Sequence, residues 1–371
     1  MKKFIIVGAG ILGASTAYRL AKAGAQVTIV DRQDAGQATD AAAGIICPWL
    51  SQRRNKAWYQ LAKGGARYYP ELIKELKSDG ETNTGYTKAG AISLHHDPKK
   101  LDAMEERALK RREDAPEMEE ISQLSAEQAQ ALFPPLSGEM GAVHVSGAAR
   151  VDGRLLLSAL LRAAEKHGAH RINGSASLVL KENKTYGVSV DQEVFYADKV
   201  IVTAGAWAQE LFNQAGIPFN VRFQKAQILH LELPDTQTAD WPVVMPPSNH
   251  YLLAFNPNRI IVGTTHEDIE HYDTRATAGG IKEILDKSLQ TAPGLSDGTI
   301  LETRVGFRPF TPGFLPVIGT VPGFDGLLTA NGLGASGLTM GPYIGSELAK
   351  LALGEATEID LSLYDVSGAL T

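Results

Sequence analysis

Residues 8–13 read G-A-G-I-L-G, with Gly8, Gly10 and Gly13 spaced for contact with a dinucleotide pyrophosphate. The first glycine permits a tight turn, the second lets the backbone approach the phosphates, and the third lets the following helix pack closely. Ile11 and Leu12 open that helix, whose free N–H groups and positive dipole end favour an anion. The next apolar run, AQVTIVD, stops at Asp31, where a carboxylate can accept hydrogen bonds from a ribose. Arg32 could suggest a 2′-phosphate, but Asp31 would repel that dianion, so an unphosphorylated ribose and a solvent-facing Arg32 are expected. Far down the chain, GFRPFTPGFLPVIG offers Arg308 on a stretch stiffened by Pro309 and Pro312. A guanidinium there can grip a carboxylate through two parallel charge-assisted hydrogen bonds.

Two further small-residue stretches suit a flat, extended ligand lying against backbone. TDAAAGIICPW places Thr39, Ala42, Ala43, Gly44 and Ile45 just after the second strand; a tightly packed helix start is the plainer alternative. ANGLGASGLTMGP puts Gly332, Leu333, Gly334, Ala335, Ser336, Gly337 and Leu338 at another strand-to-helix junction. Its backbone donors can face a ring that carries charge when reduced.

The elements that must position these residues follow from periodicity. FIIVGAG is a strand entering a turn, LGASTAYRLAKAG a helix closed by Gly24, and AQVTIVD a second strand, an order that builds a parallel sheet covered by helices. Residues 55–80 predict helices interrupted near Gly64, Gly65 and Pro70. Short strands follow in TGYTKAGAISLHH, then an exposed helix in DPKKLDAMEERALKRRED and a short one in LSAEQAQALFPPL. A strong helix starts near Asp152 and ends at Gly168, and ADKVIVTAGAWAQELFNQAG resumes the strand-turn-helix pattern, with Ala204 and Gly205 in the turn. KAQILHLEL, HYLLAF and RIIVGTT are strands joined too tightly for crossover helices and are therefore antiparallel. The fold class is α/β: a Rossmann-like cofactor domain built from residues 1–85, 145–218 and 305–371, with a mixed or mainly antiparallel substrate domain inserted as residues 86–144 and 219–304.

Composition narrows the classes. At 371 residues and 44% hydrophobic, the chain can bury the cores of two domains. One cysteine, Cys47, permits neither an internal disulfide nor a cysteine-based zinc site, and it suits a reducing compartment. A net charge of -6 gives nucleic acid no general reason to bind. KRRE at 110–113, flanked by acids, is a solvated helix face rather than a phosphate patch. With no cleavage site after the short N-terminal apolar run and no membrane-length apolar stretch, a cytoplasmic protein is expected, with peripheral membrane attachment left open.

VGAGILGASTAYRLAKAG, TDAAAGI, VIVTAGAWA, GFRPFTPGFLPVIG and GLGASGLTMGP occur in an order that resembles the flavin-dependent amine and amino-acid oxidoreductases, including glycine oxidase, D-amino-acid oxidase, sarcosine oxidase and D-amino-acid dehydrogenase. The resemblance spans nearly the whole chain. It implies FAD in an extended pose, a substrate over the ring beneath an antiparallel sheet, Arg308 as the carboxylate anchor, and Tyr251 of HYLLAF beside it. No cysteine stands where covalent members attach the flavin, which implies noncovalent FAD. It further implies a small amino acid or amine as substrate (glycine, a D-amino acid, or an N-methyl or cyclic secondary amino acid) and oxygen or another electron acceptor as partner. SGLTMGP lacks the arginine that glycine oxidase carries near the ring, which opens the substrate range to larger or secondary amines.

Competing chemistries have weaker support. Arg304 rivals Arg308 as the anchor. The histidines of HEDIEH at 266–271 are five apart and cannot share a helical face, so an exposed polar loop is expected there rather than a metal site. His250 should face away from Tyr251 on a strand, and Ser336 sits in GASGL rather than the hydrolase GxSxG. The alternatives are an FAD-dependent 2-hydroxy acid dehydrogenase, which calls for a base that no histidine here supplies persuasively, and a non-catalytic dinucleotide-binding sensor or assembly protein. A homo-oligomer is compatible with the sequence.

Overall fold

A computed structural model describes residues 1–370. The opening strand Lys3–Val7 lies at the centre of a six-stranded sheet, between Gln26–Asp31 and Lys199–Val202. His170–Asn173 extends the sheet on one side; Leu327–Asn331 and then Val317–Thr320 extend it on the other. All neighbours pair in parallel except the last two, so helical crossovers cover the sheet as the β-turn-α-β order requires. The nearly continuous apolar sequence of the inner strands Lys3–Val7, Lys199–Val202 and Leu327–Asn331 fits a sheet buried on both faces, while the edge strand His170–Asn173 is polar and mostly exposed.

A second, nine-stranded sheet is mainly antiparallel and holds Ala91–His95, Ile121–Leu124, Gly141–Val145, Arg222–Glu232, Val243–Met245, Tyr251–Phe255, Arg259–Gly263, Glu267–Asp268 and Thr299–Phe310. Its long pair, Arg222–Glu232 with Thr299–Phe310, sets Arg308 opposite Gln224. The next ladders set Tyr251 opposite Gly263. A small antiparallel sheet of Ala176–Lys181, Lys184–Val190 and Glu193–Tyr196 packs against the parallel sheet through Ala176, Val188 and Val190.

Helix Ile11–Lys22 packs against Gly337–Leu353 through small residues. A Cβ on Gly345 would stand 2.6 Å from Ser15 Cβ and one on Gly341 2.8 Å from Ile11 Cγ2, so neither glycine has room for a side chain. The expected break near Gly64, Gly65 and Pro70 is absent: Lys56–Ser78 is one helix. The glycines serve packing instead, because a Cβ on Gly65 would fall 2.0 Å from Thr339 O and one on Gly64 2.6 Å from the Tyr343 ring. Helix Gly153–Lys166 starts as expected at Asp152, whose Oδ1 accepts from the N–H groups of Arg154 and Leu155. Among the described residues, no helix is long and apolar enough to cross a membrane.

His250 lies just before strand Tyr251–Phe255, so strand alternation does not govern it: its ring is near-parallel to that of Tyr251 at 6.4 Å, and it sits against Ser288 of helix Ala278–Thr291 at 2.8 Å. Ser288 Oγ donates its only proton to Ile284 O, so His250 Nε2 must be the donor, and Nδ1 is buried without a partner. Burial, then Lys287, pushes His250 down to about 4, while burial, then Arg304 and Arg259, pushes His230 down to about 3. The unfolded chain binds these protons near the ordinary histidine value, so their contribution to stability is complete above about pH 6.5 and is lost as pH falls toward the folded values. His250 alone should account for on the order of 3 kcal/mol over that window. Urea unfolding at pH 7 and pH 4.5 should therefore show a smaller acid loss for His250→Gln than for the native chain; an unchanged difference would remove His250 from the account.

Candidate active site

The C-terminal ends of the parallel strands open onto one long cleft that continues to the antiparallel sheet. Gly8, Gly10, Ile11 and Leu12 line it at the end of the first strand, and Asp31 and Arg32 at the end of the second. Thr39, Ala42, Ala43, Gly44 and Ile45 form another wall, and Ala204, Gly205, Leu333, Gly334, Ala335, Gly337 and Leu338 another. Arg308 and Tyr251 line the same cleft from the second sheet. Three of the expected residues stand behind the lining. Gly13 backs the first turn, where a Cβ would be 1.9 Å from Gly8 O; Gly332 backs the last, where a Cβ would meet Thr311 Oγ1 at 1.9 Å; and Ser336 precedes the final helix. Residues 38–41 form a turn and residues 42–44 are irregular, so no helix starts there.

The geometry suits an extended dinucleotide. The helices Ile11–Lys22 and Gly337–Leu353 both begin at the cleft, and neither N-terminus is capped by its own N-cap side chain. A Cβ on Gly10 would meet nothing nearer than Thr39 Oγ1 at 3.5 Å, and at Gly205 and Gly337 nothing within 4 Å, so open space borders the backbone at all three. Thr39 Oγ1 also accepts the N–H of Ile11 at 3.0 Å, tying the small-residue segment to the first helix. Gly44 has a positive φ of 92° and presses on Val151 O, which would lie 1.8 Å from a Cβ. The chain therefore passes close behind the cleft only because that residue is glycine.

Asp31 has a structural duty that the sequence did not suggest. Its Oδ2 accepts the Ala9 N–H at 2.6 Å, and its Oδ1 accepts from Gln33 N at 2.6 Å and Gln37 Nε2 at 3.0 Å. It locks the glycine turn to the end of the second strand and still faces the cleft. Arg32 is not simply solvent-facing: it is paired with Asp34 and Glu210, its NH1 lying 2.9 Å from Glu210 Oε1.

At the other end, Arg308 NH2 lies 3.3 Å from Thr264 Oγ1, and among the described residues no carboxylate pairs with it. Arg304 differs. Its Nε and NH2 donate to Glu302 Oε1 at 2.9 and 2.5 Å, and its NH1 reaches Asp40 O. Its guanidinium is therefore already committed. Burial holds the Tyr251 hydroxyl above its ordinary value, with Arg308 and then Thr264 pulling the other way, so at neutral pH it is a neutral donor beside a cation. Among the described residues no histidine lines the cleft. The HEDIEH run is not a plain exposed loop, because Glu267–Asp268 is a short edge strand and Glu267 accepts from Gln227 Nε2 at 2.6 Å.

Several lining residues carry no motif. Gly174, Ser175 and Ala176 follow the edge strand His170–Asn173, and Trp207 and Phe307 meet edge to face at 6.1 Å beside the cleft. An arginine between phenylalanine and proline in FRPF, and the W of GAWA, were the available signals. Cys47 is buried and free, with its thiol pushed up to about 12 by burial.

Comparison with known proteins agrees with this geometry. The iminodiacetate oxidase IdaA from Chelativorans sp. BNC1 superposes with a TM-score of 0.94 at 47% identity, covering 98% of each chain. The glycine oxidase of Pseudomonas aeruginosa is 28% identical with all of both chains covered, and the oxidoreductase YurR of Bacillus subtilis is 63% identical over 371 residues, again all of both chains. The profile of the DAO family, described as FAD dependent oxidoreductase, matches residues 3–351, which takes in both sheets and both helix N-termini at the cleft. A cleft with two glycine-bounded helix starts has the shape such an enzyme needs for its dinucleotide, and the chain belongs to the DAO family of FAD-dependent oxidoreductases.

Proposed function

We propose that the protein oxidises a small carboxylate-bearing amine: glycine, a D-amino acid, or an N-substituted or cyclic secondary amino acid. The observation that carries this reading is the unpaired Arg308 beside Tyr251 at the end of the dinucleotide cleft, while Arg304 is neutralised by Glu302. In this reading residues 1–85, 145–218 and 305–371 form the cofactor domain, and the intervening segments form the substrate domain. Gly8, Gly10, Ile11, Leu12 and Gly13 would serve the pyrophosphate, Asp31 the ribose, and residues 39–45 and 332–338 the ring end. Bound FAD supplies the two-electron acceptor for a hydride leaving the carbon next to nitrogen.

Side chains have a modest task. Arg308 would clamp the substrate carboxylate and Tyr251 would donate to it, fixing which C–H faces the cofactor. Both groups are rigidly based: Arg308 on a long two-stranded ladder, and Tyr251 against Gly263, where a Cβ would lie 3.0 Å from the tyrosine ring. The neutral amine needs no base to release a hydride, and the iminium ion left behind is hydrolysed by water to an oxo acid and an amine. A 2-hydroxy acid would need its hydroxyl proton removed, and no histidine among the described residues lines the cleft, which disfavours that alternative. Similarity to an iminodiacetate oxidase supports including a dicarboxylic secondary amine among the substrates tested.

The test is the visible spectrum under anaerobic conditions while glycine, sarcosine, iminodiacetate, D- and L-proline, other D-amino acids and 2-hydroxy acids are added singly. Bleaching by an amine is expected, and admitting oxygen then separates oxidase from dehydrogenase. Bleaching by a hydroxy acid alone overturns the amine reading. Acid precipitation should leave the yellow colour in solution, because buried Cys47 is no site for covalent attachment.

A further inference from the structure

A second cavity, of about 420 Å³, lies where the start of helix Lys56–Ser78 meets the end of helix Pro98–Arg112. Arg53, Arg54, Lys56, Arg107 and Arg111 line it together with Tyr59, and none of these residues lines the FAD cleft. Five cations share one concavity in a chain whose net charge is -6. Among the described residues none of the five has a carboxylate within ion-pair distance. Acids are nearby: Asp114 pairs with Lys63 and Glu119 with Lys88, while Glu117 reaches Arg67 only at 3.7 Å and its Oε1 is buried without a hydrogen-bond partner.

The expectation that KRRE forms a solvated face fails at Arg111, which turns inward. It donates to the carbonyls of Trp49 and Ser51, and its guanidinium lies 4.7 Å from the Tyr59 ring centre. Arg53 is held in the same way, 4.8 Å over Trp58 and donating to Phe314 O. Stacking fixes both planes and leaves further N–H donors on each fork. Arg107 Nε and Tyr59 Oη are buried with no hydrogen-bond partner in the protein. Burial lowers Arg53, and burial also lowers Arg111, with Tyr59 pulling the other way and Arg107 adding a smaller repulsion.

Fixed guanidinium planes, unpaired charge and orphaned buried donors are complementary to one kind of ligand. We propose that this cavity binds a small polyanion carrying two or more phosphate groups, at a site separate from the FAD cleft. The surrounding contacts give binding a route to the cleft. Arg111 holds the turn that follows Ile45–Ile46, and Arg53 holds the loop that follows Arg308 and Phe310. A ligand there would brace the segments that follow Ile45 and Arg308, two residues of the cleft lining.

Isothermal titration of inorganic pyrophosphate into the FAD-saturated protein tests this, since bound FAD closes the other phosphate site. Saturable one-to-one binding is expected, weakening with added salt and falling about tenfold in each of Arg54→Ala and Arg107→Gln through loss of a charged contact. Arg54 is exposed and has no partner to lose, so its replacement should leave the fold and flavin spectrum unchanged. Lys100→Ala, on the exposed side of the same helix, should bind as the native chain does. Absence of saturable binding, or equal binding by both cavity variants, overturns the proposal.

Discussion

Arg308→Ala should retain its FAD and lose about two to three orders of magnitude in kcat/KM for the amino-acid substrate. The estimate follows from removing two charge-assisted hydrogen bonds, each worth about 1.5–3 kcal/mol, with partial compensation by water and by the Tyr251 hydroxyl. Loss of orientation should lower kcat as well as raise KM, because a substrate no longer held at its carboxylate does not present its C–H reproducibly. Arg308→Lys separates charge from geometry: a point charge restores attraction without the fork, so a partial recovery is expected. Arg304→Ala is the contrasting variant. It leaves Glu302 without its partner and the main chain at Asp40 without a donor, so it should lower thermal stability more than it changes the substrate's KM. Flavin loss in Arg308→Ala would mean that the residue supports the cofactor, and kcat/KM within threefold of native would reassign the anchor.

Much of this site is legible in the sequence because its parts obey local rules. G-A-G-I-L-G needs only a strand before it and a helix after it, and both are visible in the apolar pattern. Arg308 stands out because two nearby prolines mark a stiff segment. What stayed hidden depends on distant partners. Gly64, Gly65 and Pro70 look like a helix break by propensity, and only the carbonyl of Thr339 and the ring of Tyr343 pressing on that helix show why the glycines are tolerated. Arg111 looks like one of several surface cations until Tyr59, 52 residues earlier in the chain, is found beneath it. Asp31 could be placed at the ribose from its position at a strand end, but its hold on Ala9 requires the turn in three dimensions. Gly174 to Ala176 line the cleft only because an edge strand joins the sheet from across the chain.

Gly10→Ala and Gly13→Ala should fail in opposite ways, although they lie three residues apart in one motif. At Gly13 the new methyl would stand 1.9 Å from Gly8 O and 2.6 Å from Thr203 Oγ1, so backbone must move before the helix can seat on the sheet. Overpacking of this kind costs about 1–3 kcal/mol or more, and it should lower the Tm of the apoprotein itself. At Gly10 the nearest atom is 3.5 Å away and φ is -65°, an ordinary value for alanine, so the apoprotein should melt close to the native temperature. Its methyl group enters the space that backbone must leave for a pyrophosphate, so FAD affinity should fall by at least about a hundredfold. Measuring apoprotein Tm and FAD affinity separately is essential, because cofactor binding raises the apparent stability of any variant that still binds it. Equal losses of apoprotein stability in both variants would make the motif a packing device alone, whereas the expected split assigns Gly10 to the cofactor and Gly13 to the fold.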